Sequence, residues 1–270
     1  MMDPGTATEV PALLGPDEPS PVETVNPDGC GHVVLVCDHA SNRIPQRLRS
    51  LGLERDLLRA HIAWDPGAAD VARRLAAHLD SPLVLTGYSR LVIDCNRPLN
   101  HAESMAERSA GISIPGNRRL SSTERSSRID ALFQPYHDAI GKMLDARSHR
   151  PTLLISIHSF TPILNGRLRP WQVGISHWRD RRLAALLLGA LRRAGDFKLG
   201  DNAPYPIDHH IDYTIPTHGE RRGLPAAMIE IRQDEIRTPA GASAWSARLA
   251  AAFRLIEVET LRRFGRSQQG

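Results

Sequence analysis

Residues that handle metals and protons recur in this sequence at the ends of apolar runs. His39 follows Val33-Val34-Leu35-Val36-Cys37-Asp38, His158 follows Thr152-Leu153-Leu154-Ile155-Ser156-Ile157, and Glu230 interrupts Ala227-Met228-Ile229-Glu230-Ile231. Two imidazoles, one carboxylate and a water form a familiar catalytic zinc arrangement, in which the ion brings the pKa of water down to about 7. If the strands carrying them are neighbours, His39 and His158 converge on one divalent metal ion, with zinc the first candidate. The alternative is that each is an ordinary hydrogen-bonded histidine at a strand end. Glu230 is costly to bury unless it meets a cation, a metal or a water, which makes it the candidate general base. Its alternative is a strand-edge acid paired with Arg232 or Arg237, and strand alternation sends Arg232 to the same face.

Asp65, in Ala63-Trp64-Asp65-Pro66-Gly67, is the candidate third metal ligand, although an acid before Pro and Gly equally well caps the helix that follows. Asp38 is the next candidate, against the rule that neighbouring strand residues point to opposite faces. Arg90 and Arg97 bracket Leu91-Val92-Ile93-Asp94-Cys95-Asn96. A guanidinium binds a carboxylate through two parallel hydrogen bonds, so Arg97 with Asn96 is the expected anchor for an anionic substrate, unless Arg97 is spent on Asp94 or another acid. The remaining histidines, His137, His209, His210 and His218, read as solvated or structural. His218-Gly219-Glu220 could also form a flexible wall over the site. No phosphate loop, dinucleotide glycine fingerprint, Gly-x-Ser-x-Gly or His-Glu-x-x-His is present.

These side chains need a scaffold. Val33–Val36 and Thr152–Ile157 read as buried strands, Pro82–Thr86 and Leu91–Asp94 as short ones, and Trp171–Ser176 and Pro225–Ile231 as two more. Helical periodicity spans Gly67–Leu79, Ser121 to about residue 146 with a Ser121/Glu124 capping box and a kink expected at Pro135, Asp180–Ala194, and Ala242–Phe264. This alternation predicts a three-layer α/β/α domain, whose ligands sit beyond the carboxyl ends of its strands. His39, His158 and Glu230 all lie near such ends.

The 270 residues, 41% hydrophobic, suffice for one sizeable core. Residues 1–29, rich in Pro and scattered acids, read as a flexible tail before a single catalytic domain over 30–270. No apolar run reaches membrane-span length and no signal peptide is evident, so a cytoplasmic location without membrane partner is the default. Cys30, Cys37 and Cys95 form no zinc-ribbon pattern and read as buried thiols. The net charge of +4 comes from dispersed arginines rather than one stripe, which argues against a nucleic-acid partner. Nothing in the composition bears on the oligomeric state.

At these residues the chain resembles the N-formylglutamate amidohydrolase family. Val-Cys-Asp-His39-Ala-Ser-Asn42-Arg-Ile-Pro, Trp64-Asp65-Pro-Gly-Ala, Arg90-x-x-x-Asp94-x-Asn96-Arg97, Ser-Ile-His158-Ser-Phe and Glu230-Ile-Arg232-Gln-Asp234 follow in the family's order, across roughly residues 32 to 240. The likeness extends distantly to zinc carboxypeptidases and aspartoacylases, with one departure: Asn42 stands where that group carries a metal-binding Glu. The resemblance implies a phosphorylase/hydrolase-like fold with a central mixed sheet. It also implies a small-molecule N-acyl amino acid substrate, N-formyl-L-glutamate by preference, cleaved to formate and glutamate by a metal-activated water. The metal would sit on His39, His158 and Asp65, with Glu230 as base. Asn96, Arg97, Arg90, Arg232 and Asn42 would be the substrate contacts. The alternatives are a carboxypeptidase or deacylase of other N-acyl amino acids, or a non-catalytic binding protein on the same fold, which Asn42 would favour.

Overall fold

The computed structural model describes residues 12–195 and 197–264. Seven strands form one sheet: β1 (Val22–Val25), β2 (Val33–Cys37), β3 (Leu83–Thr86), β4 (Leu153–Phe160), β5 (Val173–Ser176), β6 (Leu199–Asp201) and β7 (Ala226–Arg232), in the spatial order β1-β3-β2-β4-β7-β5-β6. The middle four, β3-β2-β4-β7, are parallel to one another, β1 runs against β3, and β5 runs against β7 while pairing parallel with β6. The sheet is therefore mixed, as expected.

Period-two alternation makes three layers. Val33, Leu35 and Cys37 of β2 face one core with α1 (Ala68–Leu79), a helix at Arg182–Ala194 and a long helix at Pro239–Phe264. Val34 and Val36 face the other core, with Tyr136, Ile140 and Leu144. That second face is covered by Ser122–Arg128 and Gln134–Asp145, joined by a π-type turn at Ile129–Phe133. The Ser121/Glu124 capping box is formed, and the wider π turn absorbs Pro135, whose ring cannot be accommodated within a regular helix interior.

Three expectations change. Val22–Val25, assigned to the tail by composition, is an edge strand, because Val22 and Val25 pack inward while Glu23 and Thr24 remain exposed; residues 1–11 of that tail lie outside the described residues. Leu91–Asp94 is not a strand. Its apolar side chains are buried, yet its backbone turns through Val92 N–H to Ser89 O and closes onto Ser104 O from Asp94 N–H. Cys30 is exposed, whereas Cys37 and Cys95 are buried free thiols. Among the described residues, no helix is long and apolar enough to cross a membrane.

Candidate active site

The parallel strands deliver the chemistry at their carboxyl ends. His39 stands two residues beyond β2, His158 is the third-last residue of β4, and Glu230 lies beside His158 in the β4–β7 register. All three are buried, and so is Asp65. The loop before α1 brings Asp65 in by a backbone hydrogen bond from its N–H to His39 O, 3.0 Å. Gly67 then starts the helix at φ +84, where any Cβ would stand 2.6 Å from Ile236 O. The Asp65 side chain makes no helix cap.

It faces the histidines instead. Asp65 Oδ2 lies 2.9 Å from His158 Nδ1 and 3.4 Å from His39 Nδ1, and it accepts the Ser159 backbone N–H. The opposite ring nitrogens are held by two other buried acids: His39 Nε2 lies 2.7 Å from Asp94 and His158 Nε2 2.8 Å from Asp38. His39 Nε2 donates toward Asp94, while its Nδ1 stands between Asp65 Oδ2 at 3.4 Å and Arg90 Nη1 at 3.3 Å.

This donor set fits a divalent cation. Ligand atoms of His39, Asp65 and His158 all lie within 4.8 Å of one another. The two Asp65 contacts are close to the edge of about 3.3 Å that a tetrahedron with metal–nitrogen bonds of about 2.0–2.1 Å requires. A carboxylate behind each histidine is the usual way to orient an imidazole and raise its basicity toward a metal. Beside the set, Glu230 Oε2 is buried without a hydrogen-bond partner among the described residues.

The electrostatics follow from this crowding. Burial works against ionised Asp65, but the imidazoles of His39 and His158 outweigh it and hold the carboxyl well below its usual range. Burial likewise opposes ionisation of Asp94, and Arg90 with His39 overrides it; at Asp38 His158 does the same. Burial would depress His158, yet its contacts with Asp38 and Asp65 raise it well above an ordinary histidine. Glu230 goes the other way: burial pushes it up to about 7, with His158 opposing. Three carboxyls, Asp65, Asp94 and Asp38, are thus kept as anions while Glu230 is raised, the kind of separation that general acid–base catalysis uses.

A cavity of about 400 Å³ opens onto these groups, lined also by His61, Arg90, Asn96, Arg97, Arg169, Tyr205 and Asp212. Asn96 and Arg97 reach it but are engaged. Asn96 Nδ2 donates to Asp212 at 3.1 Å while its carbonyl accepts the backbone N–H groups of Tyr213 and Thr214, and Arg97 pairs with Asp212 at 3.4 Å and Glu103 at 3.3 Å. Asp94 pairs with Arg90, at 2.6 Å, and not with Arg97.

Two expected contacts do not reach the cavity. Asn42 turns away and donates to Leu58 O at 2.8 Å. Arg232 shares Glu230's strand face in pattern, but β7 ends there, and its guanidinium folds back onto Asp234, Glu235 and the carbonyl of Arg169. His218 is no flexible wall: it is buried, and its Nε2 meets His137 Nδ1 at 3.0 Å. The residues that sequence reasoning missed are Asp94 and Asp38 as partners of the imidazoles, and Arg169 and Tyr205 in the cavity wall. For Asp94, the Arg90-x-x-x-Asp94 spacing was a usable signal.

The model of the N-formylglutamate amidohydrolase family matches residues 31–237. Among curated proteins, none shows significant sequence similarity to the chain. Among solved structures, the gene product Atu2144 from Agrobacterium tumefaciens superposes with a TM-score of 0.87 at 37% identity, over 92% of this chain and 99% of that one. N-formylglutamate amidohydrolase from Ralstonia eutropha JMP134 shares the fold, with a TM-score of 0.69 at 17% identity, over 90% of this chain and 99% of that one. With its mixed sheet, its His-Asp-His cluster and a family match covering most of its length, the chain belongs to the N-formylglutamate amidohydrolase family, hydrolases that act on amide bonds.

Proposed function

We propose that the protein is a metal-dependent amidohydrolase that cleaves N-formyl-L-glutamate, or a closely related N-acyl amino acid, to a short acid and a free amino acid. The observation that carries this reading is the convergence of His39 Nδ1, His158 Nδ1 and Asp65 Oδ2 beside the unpaired oxygen of buried Glu230. His39, Asp65 and His158 would hold a divalent cation, zinc by donor type. Such an ion supplies a Lewis acid for the amide carbonyl and acidifies water at neutral pH.

The chain's own residues do the rest. Asp94 and Asp38 hold the two imidazoles so that Nδ1 of each faces inward. Glu230, pushed up to about 7 by burial, takes the proton of the attacking water and passes it to the departing amine nitrogen. Arg90, at the cavity wall beside His39, places positive charge where negative charge develops on the carbonyl oxygen. Asn96 and Arg97 form part of the wall that receives the amino-acid portion.

Purified protein stripped with a chelator, reloaded with zinc and assayed for formate release from N-formyl-L-glutamate tests the reading. Loss on stripping and recovery on reloading is expected, with no recovery in His158→Ala. Turnover indifferent to the chelator, or equal metal uptake by wild type and His158→Ala, would falsify it.

A further inference from the structure

Arg169 is a buried cation without an anion. Its residue is 7% exposed, Nε, Nη1 and Nη2 are all shielded from water, and no carboxylate pairs with them among the described residues; the neutral Tyr205 hydroxyl is the polar group beside them. Elsewhere in the cavity wall the cationic side chains have carboxylate partners: Arg90 has Asp94, and Arg97 has Asp212 and Glu103. An unpaired buried charge is among the most costly features a fold can hold, so such a group calls for a completing water, ion or ligand.

The surroundings hold this guanidinium in place rather than neutralise it. Its Cζ stands 5.1 Å from the Phe160 ring centroid and 4.9 Å from that of Tyr205, and aromatic faces stabilise a cation without satisfying its N–H groups. The backbone is pinned on both sides: Arg169 N–H donates to Pro162 O at 2.8 Å, and Arg169 O accepts from Arg232 Nη1 at 3.1 Å. Phe160 lies two residues beyond His158 on the same strand face, about 7 Å along the sheet. Arg169 and Tyr205 line the same cavity as His39, His158 and Glu230.

We propose that Arg169 is the receptor for a carboxylate of the amino-acid portion of the substrate, bound through the guanidinium's paired N–H groups. Tyr205 is 40% exposed and sits on the 202–212 loop, and it is the cover that yields as the carboxylate reaches the nitrogens. The inference rests on the amidohydrolase reading of this cavity for its substrate class, but the binding test does not require turnover.

The test has two arms. Calorimetric titration with L-glutamate compares wild type with Arg169→Met and Arg169→Lys, and turnover compares N-formyl-L-glutamate with N-formyl-L-glutamine and N-formyl-L-isoglutamine. Loss of a charge-assisted pair should weaken glutamate binding about 10- to 100-fold in Arg169→Met and by less in Arg169→Lys, which keeps charge but loses the fork. KM should rise for substrates that carry the contacted carboxylate and stay level for the one amide that lacks it, which identifies the carboxylate. Glutamate binding unchanged in either variant, no binding by wild type, or an equal loss with all three substrates overturns the proposal. If Arg169→Met does not fold, Arg169→Lys alone decides. Arg169-dependent glutamate binding without formate release from any substrate would remove the hydrolytic reading and leave the receptor standing.

Discussion

The rings of His39 and His158 meet edge to face, with centroids 4.9 Å apart, and both turn Nδ1 toward one oxygen of Asp65. Each Nε2 is tied to a different buried acid, so neither ring can flip without breaking a bond of 2.7 or 2.8 Å. Asp94→Asn keeps the shape but weakens the hold on His39. Zinc affinity, read by competition with a chromophoric chelator, should fall about 10- to 100-fold while the fold persists. Unchanged affinity would mean that Asp94 serves Arg90 alone.

Glu230→Gln separates proton transfer from metal binding. The isosteric amide cannot act as a base, so kcat should drop about 10²- to 10⁴-fold with the zinc content intact. Because Glu230 Oε2 is a buried oxygen without a partner, the variant should melt no lower than wild type. A fall in metal content instead of kcat would move Glu230 into the ligand set.

A second histidine pair makes the fold acid-sensitive. His137 Nε2 donates to Cys95 O at 2.9 Å, which leaves His137 Nδ1 to accept from His218 Nε2 at 3.0 Å. His137 must be neutral to accept at Nδ1, and burial depresses His137 to about 3 and His218 to about 4. Below the ordinary histidine pKa of about 6.5 the unfolded chain takes up protons that the folded one refuses. The stabilisation is therefore complete above pH 6.5 and drains as pH falls toward 4, by roughly 1–2 kcal/mol per pH unit. Urea unfolding at pH 7.5 and 5.5 measures it. His218→Gln, which keeps a donor but does not titrate, should flatten the slope.

Much of this site could be read from the residues in order, because a β-branched run that stops at a polar residue marks the end of a buried strand. His39, His158 and Glu230 were legible on that ground. Asp65 was ambiguous, since Asp-Pro-Gly serves a cap as well as a ligand, and only the path of the preceding loop decides. Asp94 was masked by its apolar neighbours, which suggested a strand where the backbone turns. Asp38 was discounted by strand alternation, a rule that no longer applies one residue past the end of β2. Arg169 is one arginine among many in the sequence, and its lack of a carboxylate partner exists only in three dimensions.

Gly174 ties the sheet to the cavity wall. It pairs with Glu230 across β5 and β7, and a Cβ there would meet Ala203 O at 1.8 Å. Gly174→Ala must push away the loop that carries Tyr205. We expect a loss of about 1–3 kcal/mol in stability, together with a raised KM. A KM equal to wild type would show that the loop's position does not matter to substrate.

Strand β1 closes the flank of β3, and the Arg73–Glu23 ion pair ties it to α1. Without it, the backbone amides and carbonyls of Leu83–Thr86 would be left as an open template, inviting another chain to add a strand there. A truncated protein beginning at residue 30 should therefore self-associate through that flank, visible as higher-mass species in light scattering. Four residues, Val22–Val25, would on this account keep copies of the protein from joining edge to edge.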